Sequence, residues 1–180
     1  MFEGVFMKTL FLLRHSKSSW DEPDKEDFER PLNKRGIKDA PLMGKLIAGM
    51  EVPPAKVFSS GALRAKMTAE AIAAELGINT PVDLVEEFYQ NDVFGMLEFI
   101  KKIPDELESV LLIGHNPTWE ELASVLVCGS AALFKFPTSA LAILTSEIGK
   151  WELAGKESFA LDALVHPRIL KGLGKGKTRE

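Results

Sequence analysis

An arginine and a histidine stand side by side at Arg14 and His15, directly after the apolar run Thr9-Leu10-Phe11-Leu12-Leu13. A second arginine, Arg64, lies just inside an Ala-rich segment that follows another short run, Lys56-Val57-Phe58-Ser59-Ser60. A second histidine, His115, sits in Gly114-His115-Asn116-Pro117, immediately behind Val110-Leu111-Leu112-Ile113. These residue types suit phosphoryl transfer. A phosphoryl group carries negative charge on its equatorial oxygens throughout, so guanidinium groups, an imidazole and helix N-terminal amides can hold it and stabilise the transition state. A neutral imidazole can attack phosphorus and leave a phosphohistidine for water to hydrolyse. On this reading His15 is the nucleophile, while Arg14, Arg64, His115 and the amide of Asn116 are the donors. Neighbouring arginine charges should lower the pKa of His15 and keep it neutral near pH 7. Each residue alone has an ordinary explanation: a surface ion pair for either arginine, a hydrogen-bonded loop for His15, a helix cap for His115. Their joint placement at the ends of buried runs carries the argument.

Such residues converge only if the preceding runs are strands of one sheet, whose carboxyl ends gather loops and helix N-termini. Short apolar runs alternate here with longer amphipathic ones, the pattern of a layered α/β fold: a mostly parallel central sheet of about six strands with helices on both faces. The strands are read at 9–13, 56–60, 82–85, 110–113, 140–146 and 159–164, the last at an edge. Asn33 caps a helix running to about Met50, with Ile37, Leu46, Ile47 and Met50 as its buried stripe and a bend at Pro41. A second helix runs from about Ala62 to Leu76 and is closed by Gly77. A short helix is expected over Val93 to Lys102, and another over Pro117 to Val127 with Thr118 and Glu121 as a capping box.

The chain has 180 residues, 46% hydrophobic and 27% charged, which suits one domain spanning 1–180 with its core at about 8–166. A net charge of -4 argues against broad nucleic-acid binding, which needs an excess of Lys and Arg. The single Cys128 forms no internal disulfide framework, and with no export signal or membrane-length apolar stretch a cytoplasmic location is expected. Residues 1–7 and the Gly/Lys-rich 171–180 are expected to be flexible ends. A cysteine-based phosphatase would need Arg six positions after its Cys, and position 134 is Phe. A metal phosphatase needs clustered ligands, and the three histidines are isolated along the chain. His166 has no evident partner, Trp20, Trp119 and Trp151 read as packing residues with the first two near the site, and Lys17 can aid phosphate binding or be solvated.

Leu13-Arg14-His15 resembles the signature of the histidine phosphatases, the phosphoglycerate mutase-like family, with Ser16 where many members have Gly. Arg30-Pro31-Leu32-Asn33-Lys34-Arg35-Gly36 is similar to that family's loop into its first helix. Ser59-Ser60-Gly61-Ala62-Leu63-Arg64-Ala65 with Thr68-Ala69-Glu70, and then Gly114-His115-Asn116, resemble its motifs for the pocket arginine and the second histidine. Within the family the chain is most similar to the short SixA-type phosphohistidine phosphatases. The resemblance implies a three-layer sandwich, phosphorylation of His15 during turnover, a phosphate pocket of Arg14, Arg64 and His115, and no metal or other cofactor. Larger members often place a carboxylate after the third strand to protonate the leaving group. By that position Glu87 is the candidate acid, with Glu86 beside it. Residues 87–108 leave little chain for a lid, so the expected substrate is phosphohistidine on a protein such as a phosphotransfer domain. The alternatives are a broad phosphomonoesterase acting on small sugar or nucleotide phosphates and a non-catalytic phosphate or phosphoprotein binding module. Neither nucleic acid nor membrane is expected as a partner.

Overall fold

Successive side chains of a strand turn to opposite faces, and in the run Lys8–Arg14 (β1) the middle of both sets, Leu10 to Leu13, is apolar. Leu10 and Leu12 enter one core cluster, Phe11 and Leu13 the other. A strand buried on both faces belongs in the middle of a sheet covered on both sides. The computed structural model, which describes residues 7–21, 24–77, 82–130 and 133–173, places β1 there. Its parallel partner is β4 (Ser109–Gly114), beyond which β2 (Lys56–Ser60) and β3 (Asp83–Val85) run in the same direction, and β5 (Leu141–Ser146) and β6 (Ala160–Val165) complete the order β3-β2-β4-β1-β5-β6. β5 runs antiparallel to β1 and β6 antiparallel to β5, leaving β6 at the edge.

Helices α1 (Lys34–Ala48) and α2 (Leu63–Leu76) cover the face of Phe11 and Leu13 through Met43, Ile47, Ala65, Ala69 and Ile72. The short α3 (Glu87–Gln90) leads into α4 (Val93–Lys101), which with α5 (Thr118–Cys128) covers the opposite face through Met96, Ile100, Trp119 and Leu122. The result is the three-layer α/β sandwich expected from the sequence. Asn33 caps α1 as expected, its side chain accepting from the amides of Arg35 and Gly36. Gly77 ends α2 in the left-handed region, with φ of 67°.

Several local expectations fail. In α1 Ile47 is buried as expected and Leu46 and Met50 pack half-buried against the same cluster, but Ile37 is exposed and Met50 lies beyond the helix, and Ala40, Met43 and Gly44 join Ile47 on the buried face. The helix is rotated so that Gly44 meets α2: a Cβ there would lie 2.9 Å from Glu75 Cβ. No capping box forms on α5; the Thr118 hydroxyl instead donates to the carbonyl of Asn91 at 2.9 Å. A further helix, α6 (Pro167–Leu173), takes in the first residues of the expected C-terminal tail, and its Lys171 pairs with the buried Asp39 of α1. The remainder, 174–180, and residues 1–6 lie outside the described residues. No described helix is long and apolar enough to cross a membrane.

Candidate active site

Because β1 and β4 are parallel neighbours in the register Arg14↔Gly114, the residues after them emerge side by side. The amide of His15 donates to the carbonyl of Gly114 at 3.0 Å, and the rings of His15 and His115 stand 5.0 Å apart between centroids. β2 lies on the far side of β4, so its terminal Ser60 reaches the same point and its Oγ lies 2.8 Å from His115 Nε2. Arg64 enters from the first turn of α2. A cleft of about 240 Å³ opens at this junction, lined among others by Arg14, His15, Arg64, His115 and Asn116. The structure therefore brings together five of the six residues singled out in the sequence.

His15 is 7% exposed, and its Nδ1 lies 2.7 Å from the carbonyl oxygen of Ser16. A carbonyl can only accept, so the proton resides on Nδ1 and the neutral ring keeps its lone pair on Nε2. Burial is the main force lowering the His15 pKa to about 3; the Ser16 carbonyl opposes it, and the charges of Arg64, Arg14 and Arg30 add to it. His115 is likewise lowered to about 3, by burial first and then by His15 and Arg64. Arg14 donates from Nη1 to the carbonyl of Phe136 at 2.7 Å, and Asn116 Nδ2 donates to that same oxygen at 3.0 Å. Among the described residues, the buried side-chain polar atoms without a partner are Arg14 Nε, His115 Nδ1 and Asn116 Oδ1. All three belong to residues lining the cleft. Unpaired buried polar groups are costly and mark places where a ligand supplies the missing bonds.

The loop after His15 is laced to the approach of α1. Asn33 donates its amide to the carbonyl of Lys17 at 2.9 Å, Ser19 to that of Pro31 at 2.8 Å, and a Cβ on Gly36 would lie only 2.3 Å from Lys17 O. Ser16 is accommodated by Ser139, with their hydroxyls 2.7 Å apart, and its amide donates to Thr68 Oγ1 at 3.0 Å. Thr68 in turn donates to the carbonyl of Arg64 at 2.7 Å, tying the loop after His15 to α2.

Glu87, the carboxylate expected as acid, is exposed at the start of α3 and is not among the residues lining the cleft. Tyr89, two positions on, turns back toward the site: its ring packs edge-on against His115 at 5.6 Å and its hydroxyl donates to Asp27 Oδ2 at 2.9 Å. Sequence reasoning also passed over Arg30 and Asp27. Arg30 lines the cleft beneath Trp20, its guanidinium carbon 3.2 Å from the centre of the indole, while Asp27 binds both Arg30 and Arg64. The available signal was an acid three positions ahead of Arg30-Pro31-Leu32. Trp20 is 72% exposed on the rim and Lys17 lines the cleft, whereas Trp119 and Trp151 are wholly buried.

The sequence profile of the histidine phosphatase superfamily (branch 1) matches residues 10–108. The chain belongs to the histidine phosphatase superfamily. The matched span takes in Arg14, His15, Arg30 and Arg64 of this phosphatase, and His115 lies beyond it. An uncharacterized chloroplastic protein of Arabidopsis thaliana is 31% identical over 174 residues, which cover 89% of this chain and 78% of that one. An uncharacterized protein of Mycobacterium leprae is 33% identical over 166 residues, covering 87% of this chain and all of the other. Among solved structures, the protein histidine phosphatase SixA complexed with tungstate matches with a TM-score of 0.76 at 27% identity, covering 90% of this phosphatase and 99% of that chain. The chain is thus a SixA-like phosphatase in fold and family.

Proposed function

We propose that this phosphatase works through a covalent phosphohistidine on His15 and removes phosphate from phosphohistidine borne on another protein. The observation that carries the mechanism is the tautomer of His15. With Nδ1–H committed to the Ser16 carbonyl, Nε2 is the nitrogen left to attack. The P–N bond to Nε2 forms as the bond from phosphorus to the leaving group breaks. Arg14, Arg64 and His115 surround the transferring group, so the donors are in place before reaction. Hydrolysis of the phosphohistidine then returns His15 to its neutral form and releases inorganic phosphate.

Two features support a protein-borne substrate. The stretch between β3 and β4 holds only α3 and α4, and Trp20 stands exposed on the cleft rim, which suits access by a large molecule. A phosphoramidate bond also needs less acid assistance than an alkyl ester, which agrees with a cleft that Glu87 does not line. The likeness to a protein histidine phosphatase supports the same substrate class. The second reading, a phosphomonoesterase for small sugar or nucleotide phosphates, is favoured by the modest cleft volume of about 240 Å³. Turnover should be compared on a phosphohistidine protein and on a panel of small phosphate esters. Efficient turnover confined to the esters would reject the protein substrate.

A further inference from the structure

We infer that Asp27 is a positioning residue for phosphoryl transfer, its carboxylate bridging Arg30 and Arg64 and fixing both guanidinium groups against the cleft lined by His15 and His115. The inference rests on reading that cleft as the phosphoryl-transfer site. Asp27 lies on a 3₁₀ turn, Asp27–Glu29, between the nucleophile loop and α1. Its Oδ1 accepts from Arg30 Nη1 at 2.7 Å, and its Oδ2 accepts from Arg64 Nη2 at 2.9 Å and from the Tyr89 hydroxyl at 2.9 Å. Its backbone carbonyl accepts from Arg64 Nη1 at 2.6 Å.

Both terminal nitrogens of Arg64 are thus held by one residue. Each carries two hydrogens, so one on each remains for an anion, in an orientation that Asp27 dictates. Arg30 is fixed from its other sides by the Ser19 carbonyl at 2.9 Å, the Ser18 hydroxyl at 2.9 Å and the face of Trp20. The contact to Asp27 joins this rigid arginine to one carried by a different element. Without the carboxylate, two largely buried guanidinium groups would face one another with no shared counter-charge. Burial disfavours the ionised carboxyl of Asp27, yet the hydrogen bonds from Tyr89 and Arg30 and the charge of Arg64 prevail and hold its pKa at about 2. It is therefore a permanent anion at neutral pH. A carboxylate would repel a bound phosphoryl group, so its contribution is orientation rather than substrate binding, and that distinction is measurable.

Asp27→Asn keeps the shape and removes the charge. With a small phosphoramidate as substrate, kcat should fall at least about tenfold through lost alignment. The Ki of inorganic phosphate should at the same time fall by at least about threefold, because Arg30 and Arg64, which line the cleft, have lost the anion that offsets their charge. Asp27→Glu, which restores an ionised acceptor, should regain part of kcat and bring Ki back toward wild type. A purely structural role would not tighten phosphate binding. A kcat within about twofold of wild type, or phosphate affinity lost together with kcat, would overturn the inference. His15→Ala is assayed alongside: an active His15→Ala would remove the nucleophile reading and this inference with it. An inactive His15→Ala beside an unimpaired Asp27→Asn would remove the Asp27 inference alone.

Discussion

Gly36→Ala should disable the enzyme from outside the cleft. The added Cβ would sit 2.3 Å from the carbonyl oxygen of Lys17 and 3.1 Å from its carbonyl carbon and its nitrogen, against the 3.4 Å at which ordinary contact begins. These are backbone atoms and cannot swing aside. The N-terminus of α1 and the segment two residues beyond His15 must therefore part by about 1 Å. Overpacking of this kind costs about 1–3 kcal/mol, and the better helix propensity of Ala offsets up to about 1 kcal/mol of it, so the variant should remain folded. Catalysis is more sensitive, because a 1 Å misplacement of a reacting group costs on the order of 10²-fold. Steady-state kcat on a phosphoramidate should drop by about that factor, while melting temperature falls by only a few degrees. Gly155→Ala, where an added Cβ meets nothing within 4 Å, is the control and should behave as wild type. Activity of Gly36→Ala within about twofold of wild type would refute the claim that α1 sets the nucleophile loop.

Stability should depend on pH through the paired imidazoles. Both are held at about 3 against an ordinary 6.5, so below pH 6.5 the unfolded chain takes up protons that the folded one refuses. Melting temperature should fall as pH drops from 6.5 toward 3, and His115→Asn should flatten that decline; superimposable profiles would contradict it. Catalysis should show the same shift, with the kinetic signature of His15 protonation lying near pH 3 and no loss of kcat/KM from that group between pH 7 and 5. Lys171→Ala removes the α6 partner of Asp39, whose side chain is 1% exposed, and should cost about 1–3 kcal/mol in a denaturant titration with kcat intact. Ser139→Ala leaves the Ser16 hydroxyl without its partner and should cost about 1 kcal/mol, which Ser16→Gly in the same background should largely recover.

The parts of the fold legible in the sequence were those whose signal is local. β1 and β4 are apolar on both faces, which only a central strand can be, and Asn33 caps α1 through its own side chain. Arg14, His15 and His115 could be gathered from sequence because they stand at or directly after a strand end, and Arg64 because it opens the helix that follows β2; parallel register aligns those ends. Asp27 carried no such mark: it meets Arg64 across 37 positions and Tyr89 across 62, through loops whose spacing has no period. Ser139, with φ of 63°, is likewise placed only by the tertiary fold. The segment after β3 does send a side chain toward the site, but it is Tyr89, because the turn into α3 leaves Glu87 in solvent. In α1 the apolar spacing placed Ile47 correctly but not Ile37, which is left exposed where Gly44, Ala40 and Met43 make the close approach to the sheet and α2.

The proposed mechanism requires His15 to carry the phosphoryl group. Wild type and His15→Ala should each be mixed with a phosphorus-labelled phosphohistidine protein, quenched in denaturing alkali within the first turnover and digested. The prediction is a base-stable, acid-labile label on the peptide containing His15 in wild type, with neither label nor turnover in the variant. Full activity in His15→Ala, or a label mapping to another residue, would contradict it.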